Sequence, residues 1–397
     1  MKRLLFCAVL TAFALSAAEP VLMPCVSDAR REAVCATKEQ RPMLKKRLDD
    51  NRRRRAQLFR DPQWNVVDDK PLLPVSKDPH DYLSMGPYWW PDPSKPDGLP
   101  YIRRDCQLNP ATAKLDNQKL AKMRSKVVRL AGLAYFEGDR EAGNAAADQL
   151  RAFFLDPATR MSPHLRYGQA IPGVCDGRVI GLIDLYGTVD LVDAIGMLYL
   201  AGALTDADLR DLRAWFGEMG RWMRTDPMNE PDKKICQNHG LSYRLVIVTY
   251  ALMTGDFATA REYAAPMPKL IRDAIDGDGV MVEEAVRPDA WSYHLFAMKM
   301  LLRHGETSRK LGGDLLAPDS DSGRRVRLAL DRLASSIATK KCPCRQVHPW
   351  SPNGLGGLLM RMHGLSGETK WLEYFRQLDA PVSEAADDYF FAPETAE

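Results

Sequence analysis

The sequence predicts an all-α chain of paired helices that wrap into a toroid or solenoid. Apolar residues recur at helical spacing from Leu115 onward, with no alternating strand pattern and no Rossmann-type glycine motif. Three Gly-acid turns punctuate that spacing: Phe136-Glu137-Gly138-Asp139, Met253-Thr254-Gly255-Asp256 and Leu365-Ser366-Gly367-Glu368. Each has an apolar helical segment on both sides, as with Val127 to Phe136 and Ala145 to Phe154 around the first, which is the pattern of helical hairpins.

The elements follow in chain order. Met1-Lys2-Arg3, the apolar run Leu4 to Leu15 and Ser16-Ala17-Ala18 have the charged, apolar and small-residue order of a secretory signal, so residues 1–18 are expected to be removed and residues 19–397 to work in the periplasm or outside the cell. No later stretch approaches the ~18 apolar residues that span a bilayer, so no membrane insertion is expected. Lys45 to Arg60 gathers Lys45, Lys46, Arg47, Arg52, Arg53, Arg54, Arg55 and Arg60, either as a solvated helix face or as a strip that docks polyanions. The net charge of +3 gives no whole-surface field for a polyanion, and no nucleic-acid partner is expected.

Residues 61–110 are rich in proline and aromatic side chains, among them Trp64, Tyr82, Tyr88, Trp89, Trp90 and Tyr101. So many prolines exclude a regular helix, and a long ordered loop of this kind serves as a binding wall, a lid or a strap over the core. The helix after Thr205 places Leu209, Leu212, Phe216, Met219 and Met223 on one stripe, as an outer helix would. Leu241 to Met253 is apolar almost all round, which suits an inner helix covered on both sides. Glu384 to Glu397 reads as an acidic tail.

Once Cys7 leaves with the signal, Cys25, Cys35, Cys106, Cys175, Cys236, Cys342 and Cys344 remain, an odd number, so at least one thiol lacks an intrachain partner. Cys342-Pro343-Cys344 lacks the two-residue gap of a redox or zinc pair and reads as structural. The seven histidines are scattered without metal-ligand spacing, so no metal or other cofactor is expected.

Two helix starts carry the candidate chemistry. Asn238 and His239 open the all-apolar helix, where free N–H groups favour an anion; Asn238 reads as its N-cap. In Arg287-Pro288-Asp289-Ala290-Trp291-Ser292-Tyr293, the proline drives Arg287 out of the helical region to the helix mouth. Trp291, Leu295, Met298 and Leu302 form a packed stripe, and Tyr293, about 200° round from Trp291, is free to face a cleft. Each residue alone also has a structural reading, as a cap, a satisfied histidine or a core tyrosine. A core-only account gives no reason for both arrangements in one chain.

The run His80-Asp81-Tyr82, then Pro87-Tyr88-Trp89-Trp90-Pro91-Asp92-Pro93 and Gly98-Leu99-Pro100-Tyr101-Ile102-Arg103-Arg104-Asp105, resembles the signature of the alginate lyase superfamily, as do Asn238-His239 and Arg287 with Tyr293. The resemblance spans roughly His80 to Trp371 and is closer to polysaccharide lyase family 38 than to family 5. It implies an (α/α) toroid, an incomplete barrel of six or seven helical hairpins, that cleaves β-1,4-linked polyuronate by syn β-elimination without a cofactor. Asn238, His239 and Arg287 would neutralise the uronate carboxylate, because an enolate-like transition state must be stabilised when H5 is removed. Tyr293 would take H5 and protonate O4, with Arg287 favouring its ionised form, or His239 would be the base and Tyr293 the acid. The partner would be an acidic polysaccharide, mannuronate-rich alginate or glucuronan, which differ only at C2.

Tyr88, Trp89 and Trp90 would stack on sugar rings while Arg103 and Arg104 pair with uronates; His80 and Tyr82 would stand in the wall, and Tyr243, Arg244 and His294 beside the catalytic residues. Two other classes compete. A hydrolase would use paired carboxylates drawn from Asp176, Asp184, Glu283, Glu284 and Asp289. A non-catalytic polyuronate-binding protein would keep the aromatics and arginines but be indifferent to Tyr293→Phe.

Overall fold

The computed structural model describes residues 42–229 and 237–379. The signal segment, Cys25, Cys35, Cys236 and the acidic segment 384–397 lie outside the described residues.

Helix α1 (Pro42–Arg60) carries the basic segment and packs on α2 (Asp116–Glu137). Much of its charge is met by neighbouring acids. Arg54 pairs with Asp50, Arg55 with Asp139 at 2.6 Å and with Glu141 at 2.7 Å, and Arg52 with Glu137. The arrangement is a partly solvated helix face with its own counter-charges, rather than a strip held open for a polyanion.

The Gly-acid turns act as the sequence indicates. Helix α2 stops at Gly138 (φ 71°), and Asp139 caps α3 (Arg140–Phe154) by accepting from the Ala142 N–H. After α4 (Thr188–Leu200), α5 (Asp206–Thr225) starts on a reciprocal Thr205/Asp208 capping box. Helix α6 (Asn238–Thr254) ends at Gly255 (φ 77°), and Asp256 caps α7 (Phe257–Ala264). The short helices α8 (Met267–Ala274) and α9 (Val282–Ala285) lead to α10 (Ala290–Lys310) and α11 (Asp321–Thr339). The third turn joins α12 (Gly356–Ser366) to α13 (Thr369–Arg376) through Gly367 (φ 71°). There Glu368 accepts from Arg327 instead of capping the helix. Glycine is needed at all three stops because the left-handed conformation strains a residue with a Cβ.

Burial separates two layers. Every residue of α6 from Gly240 to Met253 is buried, whereas α3, α5 and α11 bury one stripe. Helices α2, α4, α6, α10 and α12 touch in succession as the inner layer, with α3, α5, α7, α11 and α13 outside them. The described residues thus hold five inner-outer pairs, with α1 as an additional outer helix, against the six or seven hairpins expected. A buried ionic chain threads the inner layer: Arg303 of α10 bonds Asp193 of α4 and Glu306, each at 2.6 Å, and Glu306 bonds Arg361 of α12 at 3.1 Å.

The Pro-rich segment has no helix between Asp61 and Asn109, but it is not devoid of strands. Strand β1 (Leu83–Met85) pairs in parallel with β4 (Tyr167–Ala170), and β2 (Trp89–Trp90) pairs antiparallel with β3 (Ile102–Arg103). Buried polar joints fasten it to the ring. Lys70 is paired with Asp116 at the start of α2, and the Tyr82 and Ser84 hydroxyls donate to Asp184 at 3.0 and 2.6 Å.

Candidate active site

The N-termini of α6 and α10 and the 3-10 turn Val179–Leu185 ahead of α4 open onto one cleft, with a cavity volume of about 470 Å³. Tyr88, Trp89 and Arg103 of the β2–β3 hairpin form its far wall. Inner helices presenting their N-terminal ends supply free N–H groups and partial positive charge, an environment for carboxylates.

Tyr293 lies in the first turn of α10 and faces the cleft, while Trp291 packs on the opposite side against Trp350. The Arg287 guanidinium donates to the Tyr293 hydroxyl at 2.7 Å and to Asp105 Oδ1 at 2.9 Å, and its central carbon stands 3.9 Å from the centre of the phenol ring. The Tyr88 hydroxyl is 3.1 Å from that of Tyr293. Burial and then the hydrogen bond with Tyr88 raise the Tyr293 pKa, and the opposing charge of Arg287 does not outweigh them. Arg287 does favour the ionised form, as expected, but it is outweighed, so the phenol keeps its proton at neutral pH. Burial also pushes the Asp105 carboxyl up, but Arg287 and Arg103 prevail and hold it below the usual value.

His239, the second residue of α6, is the complementary group. Burial, then the charges of Arg178 and Arg287, bring its pKa down to about 4, and its Nδ1 has no hydrogen-bond partner. At neutral pH it is an uncharged imidazole able to accept a proton.

Asn238 does not cap α6; Gln237 occupies that position without a side-chain bond. The Asn238 amide instead donates to both oxygens of the buried Glu284 at 3.1 and 3.0 Å, and its backbone N–H donates to Glu284 Oε1 at 2.9 Å. Pro288 lies just before α10, whose N-cap is Asp289.

Among the other predicted residues, Tyr88, Trp89 and Arg103 line the cleft, and seven do not. His80 bonds the Arg160 carbonyl at 2.7 Å, outside the cleft. Tyr82 is fully buried, bonded to Asp184. Trp90 and Arg104 lie outside and pack on each other: Trp90 donates to the Gln107 carbonyl, and Arg104 stands over its ring at 5.4 Å. Tyr243 is buried with its hydroxyl on the Met223 carbonyl, and Arg244 is buried along α6, donating to Gly240. His294 is buried, with Nδ1 on the Ala290 carbonyl, because it shares the packed face of Trp291 three residues before it.

Sequence reading missed Arg178 and Gln169. Arg178 lines the cleft beside Trp89, with its Nε and a terminal nitrogen bonded to the Gln169 backbone and side-chain oxygens at 2.9 and 2.8 Å. Gln169 adopts a left-handed φ of 50°, unusual for a side chain of this size and a mark of a functional constraint. The signal was the flanking Gly177, where an added Cβ would meet the Arg166 carbonyl oxygen at 1.9 Å.

Of the carboxylates considered for hydrolysis, only Asp289 lines the cleft. Asp184 is buried among Tyr82, Ser84 and Gln169, Glu284 is committed to Asn238, and Asp176 and Glu283 are exposed elsewhere. A carboxylate pair flanking a glycosidic bond is absent among the described residues of that cleft. No group of three potential metal ligands gathers among the described residues, and no described helix is long and apolar enough to cross a membrane.

The helical toroid with a neutral imidazole and an arginine-bonded phenol at one rim of its inner layer belongs to a polysaccharide lyase, as the matches show. Residues 65–342 match the alginate lyase family, and the chain belongs to that family. An alginate lyase from Bacteroides ovatus is 32% identical, with a TM-score of 0.84 over 94% of this chain and 99% of that one. An apo form of alginate lyase A1-III, 13% identical, shares the fold at a TM-score of 0.56 over 96% of this chain and 98% of that one. None of the curated proteins compared matches the chain.

Proposed function

We propose that the cleft cleaves β-1,4-linked, mannuronate-rich alginate by syn β-elimination, leaving an unsaturated uronate at the new non-reducing end. The observation that carries the mechanism is the pairing of protonation states in one cleft: His239 is neutral and can accept H5, while Tyr293 is protonated and can deliver its proton to the departing O4. In β-linked mannuronate, H5 and O4 lie on the same face of the ring, so base and acid must approach from one side. Arg287 and Arg178 supply the positive charge that stabilises the carboxylate as its α-carbon loses a proton. Trp89 offers an apolar face to a sugar ring. Family membership and the alginate lyase similarities support alginate over glucuronan. The order of the first 18 residues supports export, which signal cleavage in an expressing bacterium tests.

The test is product chemistry. Purified protein is incubated with polymannuronate, polyguluronate and glucuronan, and the ends are read by ultraviolet absorbance and mass. Absorbance rising on polymannuronate, with products lighter by one water than hydrolysis would give, is expected. Saturated reducing-end products without absorbance would refute elimination, and preferential attack on glucuronan would refute the substrate.

A further inference from the structure

We infer that Asp105 is a positioning residue that holds the Arg287 guanidinium where it can serve the Tyr293 phenol and the uronate carboxylate together. This deepens the elimination reading above and rests on it.

The turn that carries Asp105 is tightly fixed. Just after β3, the Arg104 N–H donates to the Tyr88 carbonyl at 2.7 Å and the Gln107 N–H to the Arg104 carbonyl at 3.1 Å. Between them Cys106 holds a left-handed φ of 59°, which costs free energy for a residue with a Cβ and persists only where the surroundings enforce it. From this turn the Asp105 carboxylate meets two cleft arginines, Arg287 at 2.9 Å and Arg103 at 3.3 Å. The two pairs are unequal: the Arg103 side chain is 57% exposed and that of Arg287 only 17%, so solvent screens the first far more than the second. Arg287 sends both of its side-chain bonds from one terminal nitrogen, Nη2, to Asp105 and to the Tyr293 hydroxyl, and its Nε has no partner among the described residues. Those two bonds commit both hydrogens of Nη2 and leave the other terminal nitrogen for a carboxylate on the sugar. Without Asp105 the phenol alone would restrain the guanidinium. The uronate carboxylate gains charge as its α-carbon loses a proton, so a misplaced Arg287 weakens the transition state more than it weakens binding.

The expected result for Asp105→Ala on polymannuronate is a fall in kcat of about thirtyfold or more with KM changed less than about threefold, the signature of misplacing a group near the reacting atoms. Asp105→Asn keeps an acceptor oxygen for Arg287 and should recover kcat to within about threefold of wild type. In an Arg287→Ala background, assayed at raised enzyme concentration, Asp105→Ala should add little loss, because its effect passes through Arg287. Unchanged kcat in Asp105→Ala, equal losses in the alanine and asparagine variants, or additive losses in the cycle would overturn the inference. If Arg287→Ala falls below detection, the comparison of asparagine with alanine decides alone. If Asp105→Ala melts below the assay temperature, Asp105→Leu, close in shape but without an acceptor, takes its place in that comparison. Wild-type protein that forms no unsaturated product would remove the elimination reading and this inference with it, whereas an active wild type with an indifferent Asp105→Ala removes this inference only.

Discussion

Replacing Tyr293 with phenylalanine removes one oxygen from the centre of the cleft and little else. The ring remains in van der Waals and cation–π contact with the Arg287 guanidinium, 3.9 Å from the ring centre, and Arg287 keeps its bond to Asp105 at 2.9 Å. The losses are the 2.7 Å bond from Arg287 and the 3.1 Å bond with Tyr88. In a half-buried site these cost about 1 kcal/mol of stability, so the variant should fold. The catalytic loss is much larger. Without the hydroxyl no acid reaches O4, and losing a general acid costs about 10²- to 10⁴-fold in kcat, or roughly 3 to 5 kcal/mol of transition-state stabilisation. Trp89, Arg103 and Arg178 still line the cleft, so KM should change by less than about threefold. Continuous ultraviolet detection of the new double bond measures both constants, and a thermal melt checks the fold. A folded variant that retains more than about a tenth of wild-type kcat would refute Tyr293 as the proton donor.

Three further outcomes are expected. Arg178→Ala should raise KM for polymannuronate about tenfold or more, the worth of one charge-assisted bond to a carboxylate, and unchanged initial-rate saturation would show that Arg178 does not touch the substrate. His239 and His304 both titrate near 4, below their ordinary value of 6.5, so between those values the unfolded chain binds more protons than the folded one. Stability from these groups is complete above pH 6.5 and is lost as pH falls toward 4, by up to about 3 kcal/mol each; denaturant melts across that range measure it, and kcat/KM should show an acid limb near 4 that His239 controls. Asp193→Ala strips a partner from the buried Arg303 and should destabilise the ring by about 3 to 5 kcal/mol in chemical denaturation; a change under about 1 kcal/mol would show that the acids left beside it, Glu306 and Asp190 among them, satisfy that arginine.

What the sequence revealed was what depends on local physics. Gly138, Gly255 and Gly367 stop helices because their left-handed φ is decided within one turn, and the all-apolar course of α6 announces its burial without reference to any partner. The same rules, carried further, would have removed three proposed binding residues. Tyr243 and Arg244 belong to a helix expected to be covered on both sides, and His294 follows Trp291 at the spacing that shares its packed face. Other features required contacts distant in sequence. Tyr82 is buried with Asp184, 102 residues later, accepting a hydrogen bond from its hydroxyl, and Asn238 abandons capping because Glu284 arrives from another helix. Arg178 enters the cleft through its bonds to Gln169, whose strand pairs in parallel with β1 far back in the chain.

The polarity of α6 divides labour along the molecule. His239 sits at its first turn and Gly255 at its end, about 25 Å away at the usual helical rise. Reaction and chain reversal therefore occupy opposite rims of the ring. Evolution can lengthen the Gly255-Asp256 corner, graft a module there or fuse it to a surface anchor without disturbing the chemistry. The β2–β3 wall contributes Tyr88, Trp89 and Arg103 from a segment secured at its own buried joints, so it can be remodelled while the helices that carry His239 and Tyr293 remain unchanged.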